Sequence, residues 1–246
     1  MINRILIFIT VLFLLTSCKL ELDGEIYVAD VIDVGEGKGT LNTPMNLSFE
    51  MSSENKCNED KKEISNYFSD VKKLREKIFV PITLGGGIRT FEHAKDCFSN
   101  GADKILINYL AHNNSEIINK ISNVYGEQAI SIMVDYKNIN GCNFSFTNSA
   151  ENKSMTLEDY FKTIKNLKFG ELIINSIEKD GSAQGLDITC LDDFSSDLNK
   201  PILLMGGAGK PEHFVLVLKK NKISGIITAN LFNFLGNGLT CFSVLQ

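Results

Sequence analysis

Three acids and two glycine runs are the residues of this chain whose types and placing can do chemistry. Asp30 and Asp135 each close an apolar, β-branched stretch, and Asp180 lies in a polar loop just after a third. A carboxylate at the end of a buried strand can shuttle protons if its surroundings tune its pKa. It can equally do no more than cap a helix or satisfy loop amides. The glycines stand in Val80-Pro81-Ile82-Thr83-Leu84-Gly85-Gly86-Gly87-Ile88-Arg89-Thr90 and in Pro201-Ile202-Leu203-Leu204-Met205-Gly206-Gly207-Ala208-Gly209-Lys210. A strand that runs into glycines and then into a helix N-terminus leaves free amides able to hold an anion such as phosphate. Taken alone, the same glycines make a tight turn.

Alternating strands and helices must position these groups. Strand patterns fall at Glu25–Val31, 80–84, 104–108, 129–135, 171–176, 201–205 and 225–229, and Ile5–Thr10 supplies an eighth. Helical spacing is read over 63–77, 91–99, 115–124, 156–167 with Thr156 as its cap, 187–198 and 211–220. Residues 144–152 form a polar loop or small hairpin, and 34–62 a long polar insertion. Eight such units with no second composition regime predict one domain over residues 1–246, a (β/α)₈ barrel whose chemistry sits in loops at the strand C-termini.

Composition narrows the partners. The 246 residues are 43% hydrophobic with a net charge of −5 and no basic tract, so nucleic-acid binding is not indicated. Six cysteines without CxxC spacing argue against zinc and a disulfide framework and suit reduced thiols in the cytoplasm. The N-terminus pulls the other way: Arg4, the apolar run Ile5–Leu15 and Leu15-Thr16-Ser17-Cys18 resemble a lipoprotein signal, which would make the chain a membrane-anchored, non-catalytic barrel lipidated at Cys18. The strand reading of residues 1–20 is preferred, because a signal would remove the barrel's candidate first strand.

An internal repeat supports the barrel. Pro81-Ile82 and Pro201-Ile202, Gly86-Gly87 and Gly206-Gly207, and Glu92-His93 and Glu212-His213 are each 120 residues apart. Two half-barrels with one anion cradle each suit a substrate with a phosphate at either end. VPITLGGGIRTFEHA, GADKILIN, QAISIMVDYKNING, GELIINSIEKDG and PILLMGGAGKPEHF resemble the HisF family, the cyclase subunit of imidazole glycerol phosphate synthase, from about Glu25 to Phe234.

The resemblance implies a (β/α)₈ TIM barrel with half-barrel symmetry, a HisH-like glutaminase partner that delivers ammonia, and no cofactor or metal. It implies a lyase and cyclase reaction of histidine biosynthesis, turning a bis-phosphorylated ribulosyl-imidazole precursor into imidazole glycerol phosphate. Asp135 matches one of two catalytic aspartates. Gly86, Gly87 and Asn108 on one side, and Gly206, Gly207, Ala229 and Asn230 on the other, match the phosphate cradles, with Asp30, Ser176 and Asp180 at the mouth between them. Arg4, Glu25, Lys104 and Glu171 match a salt-bridged ammonia gate.

The departures are specific. Thr10 stands where the family has its other catalytic aspartate, and a threonine does not ionise at neutral pH. The first βα unit and the last helix are compressed, Met205 replaces a small polar residue, and Asn230 replaces a serine. These changes, with Asn175-Ser176-Ile177 and the missing first aspartate, resemble HisF-like relatives thought to channel ammonia toward amidation of a surface-polysaccharide sugar.

Overall fold

The computed structural model describes residues 6–9, 31–33, 67–69, 71–72, 75–76, 81–147, 152–194, 198–220 and 222–228. The chain divides into two compact units. The first holds Met1–Ile9, Ile32–Ile132 and Leu167–Gly170, and the second Thr10–Val31, Met133–Asn166 and Glu171–Gln246.

Two short strands come first, β1 (Leu6–Ile9) and β2 (Val31–Asp33), the latter continuing the apolar stretch expected to start at Glu25, whose earlier residues lie outside those described. Residues 67–69, 71–72 and 75 are helical, within the expected 63–77 helix, and turn Tyr67 and Val71 inward four residues apart. Then β3 (Ile82–Gly85) and β4 (Lys104–Ile107) pair in parallel, Leu84 opposite Ile105 and Gly85 opposite Leu106. Every residue of β3 is buried, as are Ile105, Leu106 and Ile107, which is why both strands read as unbroken apolar runs.

A parallel pair needs a crossover, and α1 (Phe91–Ser99) supplies it. Thr90 Oγ1 accepts the His93 N–H at 3.1 Å to start the helix, and Ala94 and Cys97 face inward. After β4 come α2 (Tyr109–Asn113) and α3 (Ser115–Tyr125), the latter capped by Asn114 and burying Ile118 and Ile121. It leads into β5 (Ile130–Ile139), whose first residues pair in parallel with β4, Ile107 opposite Ile132.

One pairing differs from expectation. β1 runs antiparallel to β3, with Ile9 opposite Ile82, where a first barrel strand would run parallel. A run apolar at nearly every position carries no face or direction signal, so the two orientations read alike in sequence. The described part of this stretch, Leu6–Ile9, is a strand, and no helix among the described residues is long and apolar enough to cross a membrane. Cys18 and Thr10 lie outside the described residues.

In the second unit β5 continues from Met133 and pairs antiparallel with β6 (Cys142–Thr147), which pairs antiparallel with β7 (Asn152–Thr156). The small hairpin is therefore formed. Thr156 caps α4 (Leu157–Ile164) by accepting the Asp159 N–H at 3.2 Å, as its sequence predicted. Leu157, Tyr160, Phe161 and Ile164 make the apolar stripe of that helix, at the 3-4-7 spacing of one buried face. Then β8 (Glu171–Ser176), β9 (Ile202–Met205) and β10 (Gly225–Ile227) pair in parallel, with α5 (Pro211–Leu218) between the last two.

The helix expected over 187–198 is not found. Its described residues contain a single 3₁₀ turn, Thr189–Leu191. Asp187 Oδ1 accepts from both the backbone N–H and the hydroxyl of Thr189, at 2.9 and 2.7 Å, an alternative to helical hydrogen bonding that short acidic side chains offer.

Candidate active site

Asp135 is not the last residue of its strand, as its pattern implied. β5 runs on to Ile139 and turns through Asn140 and Gly141, both with positive φ, into β6. Half-buried, Asp135 stands opposite Phe146. Asn175, next to last in β8, donates from Nδ2 to Asp135 Oδ1 at 2.8 Å. A hydrogen bond donated to a carboxylate favours its ionised form. Tyr160 on α4 feels the charge of the same carboxylate. Its phenol is pushed well above the usual range, by burial first and by the Asp135 charge second.

Ser176, which follows Asn175, is 2% exposed, and its carbonyl accepts the Asp180 N–H at 2.9 Å. Asp180 itself is exposed on the turn after β8. The second glycine loop lies against these residues. A Cβ on Gly206, whose φ is +94°, would stand 2.7 Å from the Ser176 carbonyl oxygen and 3.0 Å from Asn175 Oδ1, so no larger residue allows this approach. The loop after β8 closes on the other side, where the Gly185 N–H donates to the Gly207 carbonyl at 2.7 Å. Asp135, Asn175, Ser176 and Gly206 are thus brought together within one unit.

The first glycine loop belongs to the other unit and has the same backbone form. Gly86 and Gly87 take φ of +92° and +68°, against +94° for both Gly206 and Gly207. Successive backbone N–H groups in such left-handed turns form a concavity that suits an anion. The repeat extends to the sheet: Leu84 faces Ile105 in one unit as Leu204 faces Ile226 in the other. Asn108 follows β4 and its carbonyl accepts the Ala111 N–H at 3.1 Å at the start of α2.

Of the four residues expected to form a gate, Lys104 is the half-buried first residue of β4, and Glu171 opens β8 with 3% exposure. Arg4 and Glu25 lie outside the described residues, as do Asp30, Ala229 and Asn230.

Asn175 is the site residue that the spacing of acids and glycines does not single out. The signal is present nonetheless: an amide inside the wholly buried strand Glu171–Ser176 must find a hydrogen-bond partner.

Residues 59–237 match the model of a family described as histidine biosynthesis protein, well over half of the chain. A protein of Parasynechococcus marenigrum, provisionally named imidazole glycerol phosphate synthase subunit hisF2, is 37% identical over 179 residues, covering 72% of this chain and 66% of that protein. Imidazole glycerol phosphate synthase subunit HisF of Sulfurisphaera tokodaii is 39% identical over 150 residues, covering 61% and 60%. The subunit HisF of Leptospira biflexa is 34% identical over 174 residues, covering 67% and 66%. The matched stretch thus spans between 60% and 66% of these relatives' own length. The chain belongs to the histidine biosynthesis protein family, and within it to the HisF family of (β/α)₈ barrels.

Proposed function

We propose that this chain is a HisF-type cyclase that uses ammonia from a HisH-like glutaminase to convert a bis-phosphorylated ribulosyl-imidazole precursor into imidazole glycerol phosphate. The observation that carries the reading is the hydrogen bond from Asn175 to Asp135 beside the Gly206 loop. A hydrogen bond donated by an amide favours the ionised form of a carboxylate, which is the form a general base needs. Asp135 takes up and returns protons as ammonia adds and the ring closes. The Gly86-Gly87 loop is one phosphate cradle and the Gly206-Gly207 loop another, with Ser176 and Asp180 as further substrate-binding residues. Lys104 and Glu171 belong to the ammonia gate, where a buried carboxylate such as Glu171 calls for a cationic partner.

The test is direct: the purified chain, the bis-phosphorylated precursor and an ammonium salt at high pH, which makes the glutaminase unnecessary. Imidazole glycerol phosphate is the expected product, and its absence sinks the cyclase reading.

A second reading, delivery of ammonia to a sugar-modifying amidotransferase, draws support from β1. Its antiparallel course sets Ile9 opposite Ile82, at the start of β3 and away from the glycine end. A site working without a first-strand acid agrees with Thr10 in that acid's place. On this reading the precursor is bound but not cyclised.

A further inference from the structure

Asn175 does more than fill a buried strand position. Its side chain is 7% exposed, and its two ends are treated differently. Nδ2 gives its hydrogen bond to Asp135, whereas Oδ1 is buried and accepts none from the described residues. An ionised carboxylate only accepts, so the amide can face Asp135 with its NH₂ end alone. An amide placed for its own hydrogen bonding would satisfy both ends, because a buried acceptor without a donor is costly. Gly206 approaches this arrangement closely: a Cβ there would stand 3.0 Å from Asn175 Oδ1 and 2.7 Å from the Ser176 carbonyl oxygen.

We propose that Asn175 is a positioning residue for Asp135, holding its carboxylate ionised and in a single orientation next to the second glycine loop. Other groups bear on the same carboxylate. Tyr160 on α4 is its titratable neighbour, and Phe146 on β6 stands opposite it in the sheet. The Phe146 ring carries no donor, whereas Asn175 Nδ2 donates to Asp135 Oδ1 itself, so removal of this donor acts on the carboxylate without an intermediary. The catalytic use of that charge rests on the cyclase reading, but the control of it does not.

The experiment is a carboxylate ¹³C NMR titration of the full chain labelled at aspartate, with the Asp135 signal identified by its loss in Asp135→Asn. In Asn175→Leu the Asp135 midpoint is expected to rise by about one pH unit. Asn175→Asp keeps the shape and replaces the donor with a second carboxylate, so the pair is expected to titrate in two separated steps, the upper above the ordinary carboxylate range. An unshifted Asp135 in Asn175→Leu overturns the proposal. If that variant does not fold, two independent ordinary titrations in Asn175→Asp overturn it. Turnover of the wild type with precursor and ammonium is measured in parallel. A shifted midpoint without any turnover supports the positioning role and removes the cyclase reading. Turnover with an unshifted midpoint does the reverse.

Discussion

His93 and His213 make the same hydrogen bond from equivalent places in the chain. Nδ1 of His93 accepts the Arg89 N–H at 3.4 Å, and Nδ1 of His213 accepts the Gly209 N–H at 3.2 Å. Each bond ties the end of a glycine loop to the first turn of the helix that follows, α1 in one unit and α5 in the other. If the loops hold phosphates, these imidazoles fix their shape. His213→Ala is expected to change stability by no more than about 1 kcal/mol, the net worth of one hydrogen bond. It is expected to weaken binding of a phosphate monoester severalfold, as read by calorimetric titration. Unchanged affinity would mean that the loop holds its form without the histidine.

Gly206→Ala tests the packing behind the site. A methyl group there meets the Ser176 carbonyl and Asn175 Oδ1, and the residue would have to keep φ at +94°. The strain alone is about 1–2 kcal/mol, which a urea denaturation series measures. Turnover should fall further than that loss of stability explains, because the displaced neighbour is the residue that holds Asp135. Gly126→Ala, at φ +87° with nothing within 4 Å of an added Cβ, is the control: backbone strain without a clash, and no effect on turnover beyond the loss of stability.

Stability should also respond to pH through His112. Burial lowers its pKa from 6.5 to about 4. The unfolded chain therefore takes up the proton first, and the stability associated with the neutral ring is complete above about pH 6.5 and lost as pH falls toward 4. The full loss is on the order of 3 kcal/mol. Urea midpoints measured from pH 7 down to pH 4.5 should drop more steeply for the wild type than for His112→Gln. Parallel profiles would show that the folded protein accommodates the charged ring.

The hairpin after Asp135 depends on its turn. Asn140 and Gly141 have φ of +54° and +85°, the left-handed pair that a two-residue hairpin loop requires. Asn138 reinforces it, accepting the Gly141 N–H at 3.0 Å and donating to Asn143 at 2.9 Å, while Asn143 donates to Asp193 at 2.6 Å. Gly141→Ala is expected to cost about 1 kcal/mol and to speed amide hydrogen exchange in 136–146. Exchange unchanged in that segment would contradict the role given to the turn.

The sequence carried the repeat clearly because glycine at a strand end has few substitutes. The pairs Gly86-Gly87 and Gly206-Gly207 recur in spacing and in backbone form alike. Helices with a side-chain cap and an apolar stripe were also legible, as Thr156 and α4 illustrate. Three features were not. β5 continues past its acid because the signal for the hairpin, Asn140-Gly141, comes after a polar stretch that reads as loop. Residues 187–198 show helical spacing, but Asp187 spends its carboxylate on Thr189. The direction of β1 had no signal at all, since an unbroken apolar run looks the same in either orientation. At the site, acids and glycines stand out by type, whereas Asn175, noticed in the sequence for its resemblance alone, gains a physical role when each buried polar group is asked for its partner.

On the cyclase reading, Asp135, held by Asn175, does the proton transfers of the cyclisation. This role is tested most directly by turnover of the bis-phosphorylated precursor with ammonium at alkaline pH, wild type against Asp135→Asn. Imidazole glycerol phosphate and aminoimidazole carboxamide ribotide are expected in equal amounts from the wild type, with a rate lower by about 100-fold or more in the variant. Turnover of Asp135→Asn at the wild-type rate, or no product from the wild type, would contradict that role.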